Sequence, residues 1–425
     1  MDSSPTMPSA ESSAFSLLAT GLQRQLYRMQ WTQLHPVQIE SIRAFFQSSR
    51  HLLIMAETAG GKTEAAFLPV LSQISQEPFG SVRAVYIGPL KALINDQFGR
   101  LEELCTHIEM PVHRWHGDVD RGSKKDVLDN PSGVLLITPE SLESLLINRT
   151  RELPRVFGGL RAVVIDELHA FLENERGRHL RSLLTRLRRY LGPGQPEPRM
   201  LGLSATVGTP ATAQAYLSPD APENVTVIRP AGLHPELQFK VHGFPASTGA
   251  AVASNDDAGE EEDDQEYLRC MREIAKSVVG HCAGHSNLVF CNKKEDVELC
   301  ADLANEECRS QGMRETFLVH HGALSKAIRE DAEQRMKSGE CLTAVCSSTL
   351  EMGIDIGSVH LVGQVGAPWS VSSLKQRLGR SGRRNNEPRR LRMYIKGEPT
   401  GSVEHPIELM PVDLLQSVAL CELMP

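Results

Sequence analysis

The residues Ala56-Glu57-Thr58-Ala59-Gly60-Gly61-Lys62-Thr63 follow the apolar run His51-Leu-Leu-Ile-Met55 and precede a stretch of helical character, Glu64-Ala65-Ala66-Phe67-Leu68. A Gly-rich turn between strand and helix lets backbone N–H groups surround phosphates at the positive end of the helix. Lys62 then reaches the terminal phosphates of a nucleotide, and Thr63 can bind Mg2+. Ala56 stands where the general GxxxxGK[ST] pattern has Gly, so the loop alone also admits a plain Gly turn. A second group, Ala162-Val-Val-Ile-Asp-Glu-Leu-His169, puts Asp166 and Glu167 just after an apolar run, at the strand end where ligand sites of open α/β sheets gather. Asp166 is suited to hold Mg2+ through water and Glu167 to orient and deprotonate the attacking water. Taken alone, these acids would only complement the start of a helix; next to a phosphate loop they form half of a phosphoryl-transfer site. Arg380 and Arg383, three apart and flanked by Gly379 and Gly382, can project together from a short helical turn. Facing a γ-phosphate, they would stabilise charge that grows in the transition state.

These groups need elements to carry them. A chain of 425 residues that is 40% hydrophobic should divide into at least two domains. Short apolar runs alternate with helical patterns at 51–55, 82–87, 134–137, 162–165, 200–203 and from Val225. The alternation restarts at 286–290, 316–319, 342–346, 359–362 and 391–395. Buried runs separated by helices predict α/β architecture, with two tandem domains each built on a mainly parallel sheet flanked by helices. The expected division is a disordered tail over 1–14, a first domain over 15–230, a connection over 231–265, a second domain over 266–410, and over 411–425 the start of a further helical region that the chain cuts short. Ala246 to Gln265, rich in Ala, Ser, Gly and acids, is expected to be an unordered surface loop. Val412, Leu414, Leu415, Val418, Leu420 and Leu423 predict an amphipathic helix near the end.

The net charge of -8 is concentrated. Asp256, Asp257, Glu260 to Glu262, Asp263, Asp264 and Glu266 lie together, and without them the chain is roughly neutral. Net charge therefore neither supports nor excludes nucleic acid. The nine cysteines show no CxxC spacing, which suits free thiols in a reducing compartment. With no bilayer-length apolar stretch and no secretory leader pattern, the expectation is a cytoplasmic protein without a membrane partner. Trp31, Trp115 and Trp369 could each stack a base or fill a core. Leu180, Leu183, Leu184 and Leu187 make an apolar helical stripe with Arg178, Arg181, Arg186, Arg188 and Arg189 largely off it, an amphipathic helix.

The series of motifs resembles the superfamily 2 helicases of the DExH type, specifically the Lhr-like branch. His35-Pro-Val-Gln38 resembles the adenine-reading Q motif, Pro89-Leu-Lys-Ala-Leu93 motif Ia, and Leu203-Ser-Ala-Thr206 motif III. His116-Gly-Asp118 and Thr138-Pro-Glu-Ser-Leu142 look like strand-binding elements. Leu288-Val-Phe-Cys-Asn292 is similar to motif IV, His320-His-Gly322 follows it, Ser347 to Asp355 resembles motif V, and Gln376 to Arg383 motif VI. Arg176-Gly-Arg-His-Leu180 and Gly202 to Val207 favour the Lhr-like branch. The resemblance implies two RecA-like domains with ATP and Mg2+ held between them. Gln38 would read adenine, and Thr58, Gly60, Gly61, Lys62, Thr63, Gly353 and Asp355 would contact the nucleotide. Gln376, Arg380 and Arg383 would complete the site from the second domain. His169, Ser204 and Thr206 would couple nucleotide state to a single strand held near Lys91, Thr138, His321 and Thr349. It further implies 3′ to 5′ movement on nucleic acid, DNA favoured over RNA, or alternatively a strand-stimulated ATPase that remodels RNA or nucleoprotein without processive unwinding. Family members usually carry a winged-helix and further C-terminal regions, which are expected to lie beyond the residues of this sequence.

Overall fold

A computed structural model describes residues 13–56, 60–77, 80–172, 174–205, 210–230, 236–244, 256–351, 356–382, 387–397 and 410–424. The chain divides into two compact units, Met1–Gly232 and Leu233–Pro425. The first contains, in chain order, α1 (Thr20–Arg28), α2 (Pro36–Gln47), β1 (His51–Met55), α3 (Lys62–Ile74), β2 (Ala84–Ile87), α4 (Lys91–Cys105), β3 (Val112–Trp115), α5 (Arg121–Asp129), β4 (Val134–Ile137), α6 (Pro139–Asn148), α7 (Leu153–Phe157), β5 (Ala162–Ile165), α8 (Glu175–Leu187), β6 (Arg199–Ser204), α9 (Pro210–Leu217) and β7 (Val225–Ile228).

The seven strands run parallel in the order β3-β4-β2-β5-β6-β1-β7. Alternate residues of each central strand feed two cores, one on each face of the sheet. Leu52, Ile54, Tyr86, Leu136, Val164 and Leu203 pack on one face. Leu53, Met55, Val85, Ile87, Ile137 and Ile165 pack on the other. Strands covered on both faces must be apolar throughout, which is why they read as continuous runs. The edge strand β3 was not among the expected runs. Its His113 and Arg114 break the pattern, as an edge half open to water allows.

The connection from β1 to β2 passes over two strands, and this crossover divides the carboxyl edge of the sheet into two halves. The loops after β1, β5 and β6 carry Lys62, Asp166 and Ser204 at one half. The loops after β2, β4 and β3 carry Lys91, Thr138 and His116 at the other.

The second unit contains β8 (Leu237–Phe244), α10 (Asp256–Cys282), β9 (Asn287–Cys291), α11 (Lys294–Ser310), β10 (Phe317–His320), α12 (Lys326–Lys337), β11 (Thr343–Cys346), β12 (Leu361–Val365), α13 (Val371–Leu378), β13 (Arg389–Lys396) and α14 (Val412–Glu422). Its six strands are also parallel, in the order β10-β11-β9-β12-β13-β8.

Two expectations change. Leu237–Phe244, placed in the connection, is an outer strand paired along its length with β13. The acidic stretch expected to be an unordered loop is helical from Asp256, continuing into the part of α10 that buries Met271, Ile274, Ala275, Val278 and Cys282. Once those residues pay the nucleation cost by packing, extension through Glu and Ala is cheap, and acids suit a helix start. The C-terminal helix forms as expected, with Cys421 buried and Leu414 and Leu420 against the core. Val412, Leu415, Val418 and Leu423 stay exposed.

Pro69 lies inside α3 and has no N–H for the carbonyl of Ala65, one turn earlier. The hydroxyl of Ser41, fully buried on α2, donates to that oxygen at 2.6 Å. Ser41 thus repairs the gap in the helix that follows the phosphate loop. We expect Ser41→Ala to cost about 2 kcal/mol, because a buried carbonyl loses its donor. In Ser41→Ala/Pro69→Ala the restored N–H should recover about half of that. Thermal midpoints for the four members of the cycle check this, and strict additivity would count against it.

Candidate active site

The phosphate loop is shaped by one close approach. Gly61 has φ of 73° and caps α3. A Cβ there would stand 2.5 Å from Gln38 Nε2, so a side chain at position 61 is opposed by backbone conformation and by space together. Gln38 is buried on α2, where Pro36 starts the helix and Gln38 Oε1 accepts from the His35 backbone N–H at 2.9 Å. The Q-motif glutamine and the phosphate loop therefore touch. Lys62 is buried and donates to the Ala56 carbonyl at 2.8 Å. Gly60 opens the turn and Thr63 occupies the first turn of α3, while Thr58 lies outside the described residues.

Asp166 and Glu167 follow β5. Asp166 is buried; its Oδ1 accepts from the Glu167 N–H at 2.8 Å and its Oδ2 from the Tyr86 hydroxyl. Burial, and then the neighbouring Glu167 charge, push its carboxyl up to about 6, against the pull of the Tyr86 hydrogen bond and of Lys62. Tyr86 in turn is held far above its ordinary range by burial and by the facing carboxylate, so it stays a donor. Glu167 adopts φ of 47°, a left-handed conformation uncommon for a non-glycine residue. Its Oε2 is buried without a hydrogen bond and lies 3.5 Å from His169 Nε2. His169 Nδ1 is 3.1 Å from Ser204 Oγ, and the Ser204 carbonyl accepts from Ala56 N–H at 3.2 Å. Polar contacts thus run from Lys62 through Ala56, Ser204 and His169 to Glu167. Gly202 makes this approach possible, since a Cβ there would stand 2.7 Å from Leu168 Cδ2.

This donor set fits a magnesium nucleotide. The carboxylate of Asp166 and the hydroxyl of Thr63 are hard oxygen donors, and Mg2+ takes one or two of these together with phosphates. The orphaned Glu167 oxygen gives an acceptor for a water's hydrogen. Among the described residues no group of three or more His, Cys, Asp and Glu is arranged to hold a metal. All nine cysteines are free.

On the other half of the edge, Lys91 pairs with Asp118 at 2.9 Å with both side chains about half exposed, a contact weak enough to be exchanged. His116 is buried against Asn95 Oδ1 at 3.0 Å, and burial lowers its pKa. Thr138 caps α6 through Ser141. Arg176 joins two of these loops, donating to the Pro89 carbonyl and to Glu140, each at 2.7 Å. α8 is the amphipathic helix expected, with Leu180, Leu183 and Leu187 buried. Trp31 and Trp115 pack in the cores, whereas Trp369 is 75% exposed.

In the second unit His321 is buried, with Nε2 2.9 Å from Glu298 Oε1. Thr349 is engaged by His320. Gln376 is buried on α13; Arg380 falls just past its end, also buried, and donates to the Glu351 carbonyl at 3.1 Å. The sequence reading assigned nothing to Arg377, which is the centre of this region. It forms an ion pair with Glu351 at 2.9 Å, donates to Gln364, and lies 4.8 Å over the Phe290 ring. It thereby ties together the motif IV strand, motif V and motif VI. Opposite charges in motifs V and VI hint at this, but nothing in the spacing pairs them. Thr206, Gly353, Asp355 and Arg383 lie outside the described residues.

Lys62, the acid pair after β5 and the motif III serine Ser204 lie on one edge of a parallel sheet, and a second such sheet follows: the fold is that of two tandem RecA-like units. The model for DEAD/DEAH box helicases matches residues 35–214, and that for the helicase conserved C-terminal domain matches 270–385. The chain belongs to the superfamily 2 DExH-box helicases, on their Lhr-like branch. It is 33% identical over 389 residues to the Lhr helicase/uracil glycosylase of Escherichia coli (strain K12), covering 79% of this chain and 24% of that protein. To the ATP-dependent helicase Lhr-Core of Methanothermobacter thermautotrophicus it is 28% identical, covering 81% and 40%. It therefore spans less than half the length of these curated relatives. The structure of Mycobacterium smegmatis helicase Lhr bound to ssDNA and AMP-PNP matches with a TM-score of 0.75 at 28% identity, over 97% of this chain and 50% of that one.

Asp166 also makes stability depend on pH. Its carboxyl rises from 3.8 to about 6 on folding, so its contribution favours the folded state below about pH 4 and is lost as pH rises through 6. At pH 7.5 the buried charge is destabilising. Asp166→Asn should stabilise the protein in metal-free buffer at that pH by up to about 3 kcal/mol, read as a higher thermal midpoint, and the gain should vanish near pH 4. An equal gain at both pH values would contradict this.

Proposed function

We propose that this protein is a cytoplasmic motor that couples ATP hydrolysis to 3′ to 5′ movement along single-stranded nucleic acid, DNA in preference to RNA. The observation that carries the reading is the run of contacts from Lys62 to Glu167 through Ala56, Ser204 and His169, which links the phosphate loop, motif III and the DELH box. A change at the phosphates is then felt at motif III. Lys62 and the backbone of Thr58 to Gly61 hold the phosphates, Gln38 recognises adenine, and Gly353 and Asp355 add contacts from motif V. Thr63 and Asp166 would hold Mg2+, which when bound neutralises phosphate charge. Glu167 orients the attacking water and takes its proton. Arg380 and Arg383, with Gln376, stabilise the charge of the transferring phosphoryl group.

His169, Ser204 and Thr206 pass the nucleotide state toward the strand, which Lys91, Thr138, His321 and Thr349 contact along its phosphates, so that binding is tolerant of sequence and sensitive to salt. Kinship with the Lhr-like branch supports the polarity, and the similar protein solved with ssDNA supports the preference for DNA.

Glu167→Gln should lower strand-stimulated ATP turnover by about 10²–10⁴-fold while leaving binding of an ATP analogue and of the strand unchanged. Undiminished turnover would place the base elsewhere. Matched DNA and RNA oligomers should differ in stimulation, with DNA the stronger, and only duplexes with a 3′ tail should be opened. Greater stimulation by RNA, or opening from a 5′ tail, would overturn those parts of the reading.

A further inference from the structure

The strands β4, β2 and β5 are neighbours in the first sheet, so the loops that follow them leave the same edge side by side. In that order the loops carry Thr138, Lys91 and the acid pair Asp166-Glu167. One side chain touches all three. Arg176, in the first turn of α8, donates from Nη2 to the Pro89 carbonyl and from Nε to Glu140 Oε1, each at 2.7 Å. Its guanidinium also lies 5.5 Å over the ring of Phe171, in the loop after β5. We propose that Arg176 is a positioning residue that couples the acid pair to the strand: it sets the spacing of the Lys91 and Thr138 loops and passes to them a shift of the segment after Glu167. The proposal rests on the reading that Lys91 and Thr138 contact the strand.

The start of α8 is tied to the acid pair by short links. The Ala170 N–H donates to the Glu167 carbonyl at 2.8 Å, and Asn174 Nδ2 donates to the Ala170 carbonyl at 2.9 Å. Asn174 in turn caps α8, its Oδ1 accepting from the Gly177 N–H at 2.8 Å. Gly177 lets the helix start lie directly against this turn, because a Cβ there would stand 1.6 Å from the Phe171 carbonyl oxygen. The Gly177 carbonyl accepts from the Tyr216 hydroxyl at 2.8 Å, on α9, the helix after motif III. A movement of the turn at Glu167 must therefore carry Arg176 with it.

The contacts call for arginine. Nε and Nη2 belong to one planar fork, so they reach two acceptors at once in a fixed geometry, whereas an ammonium is a single point on a flexible stem. Pro89 precedes Lys91 by two residues, and Glu140 follows Thr138 by two. Each arm thus ends close to a strand contact. The Glu140 side chain is 57% exposed, so water and salt screen that arm. Pro89 is buried and offers a backbone oxygen, which cannot swing away as a side chain can. The Pro89 arm is the firmer of the two.

The test uses the full chain and a fluorescently labelled oligo-dT, whose anisotropy reads strand affinity with and without Mg2+ and AMP-PNP. In the wild type the nucleotide should change strand affinity by at least about fivefold. Arg176→Lys should weaken nucleotide-free binding by about tenfold and bring the ratio of the two affinities to about one. Arg176→Gln should behave alike; the position is partly exposed, so neither variant empties a core. Glu140→Gln keeps an acceptor for Nε and should hold the ratio within about twofold of the wild type's. Combined with Lys91→Ala, Arg176→Lys should cost less than it does alone, because the loop it positions has already lost a contact. A wild-type ratio in both Arg176 variants, with Lys91→Ala binding weakly, would overturn the proposal while leaving the strand contacts standing. A wild type whose strand affinity ignores the nucleotide would overturn it too. An Arg176→Lys loss just as large in the Lys91→Ala background would mean that Arg176 grips the strand itself, against a positioning role. Lys91→Ala and Thr138→Ala both binding as tightly as the wild type would instead show that these loops do not meet the strand, and both readings would fall.

Discussion

Parallel strand polarity is the constraint on which both units depend. When every strand of a sheet runs the same way, every loop that leaves a strand end emerges along one edge. The first unit uses this to gather Lys62, Asp166 and Ser204 from segments spread over more than a hundred residues of the chain. The second gathers His320, Thr349 and the segment before α13 in the same way. The cost is that each central strand must be apolar on both faces. Polar side chains consequently collect at the strand ends, where chemistry is possible.

The acid pair after β5 shows how such an edge is tuned. Asp166 is withdrawn from water, which penalises its charge, and the same withdrawal makes a fixed set of donors effective. Tyr86 and the Glu167 backbone take its two oxygens, so its orientation is set before any ligand arrives. Glu167 is left with a buried oxygen that lacks a hydrogen bond and with a strained backbone. Strain and unsatisfied polarity are stored here because the surrounding sheet is rigid enough to hold them. Smaller repairs serve the same end: Ser41 supplies the donor that Pro69 lacks, and Gly61 and Gly202 leave room where Gln38 and Leu168 must come close.

The second unit is organised around a buried cation. Arg377 joins Glu351, Gln364 and Phe290, and so fixes motifs IV, V and VI relative to one another. A planar guanidinium with donors on several sides does this better than an ammonium. Removing either charge would leave the other buried and unpaired, so the network acts as a unit.

Much of this was legible in the order of residues. The apolar runs located most of the strands, because burial on both faces writes itself into composition. The phosphate loop and Asp166-Glu167 announced their chemistry through local spacing, and the motif series led to the family. The edge strand β3 and the outer strand β8 were not legible, since strands half open to water carry no continuous apolar signal. The helix through Asp256 was missed because its order comes from packing further along. The contacts of Gly61 with Gln38, of Ser41 with Ala65, of Tyr86 with Asp166 and of Arg377 with Glu351 were likewise invisible. Each joins segments from separate stretches of chain, and spacing records only neighbours. Sequence alone determined which groups this protein has and the periodicity that makes its sheets; tertiary structure decided which groups meet, because strand order brings together side chains that the chain itself keeps apart.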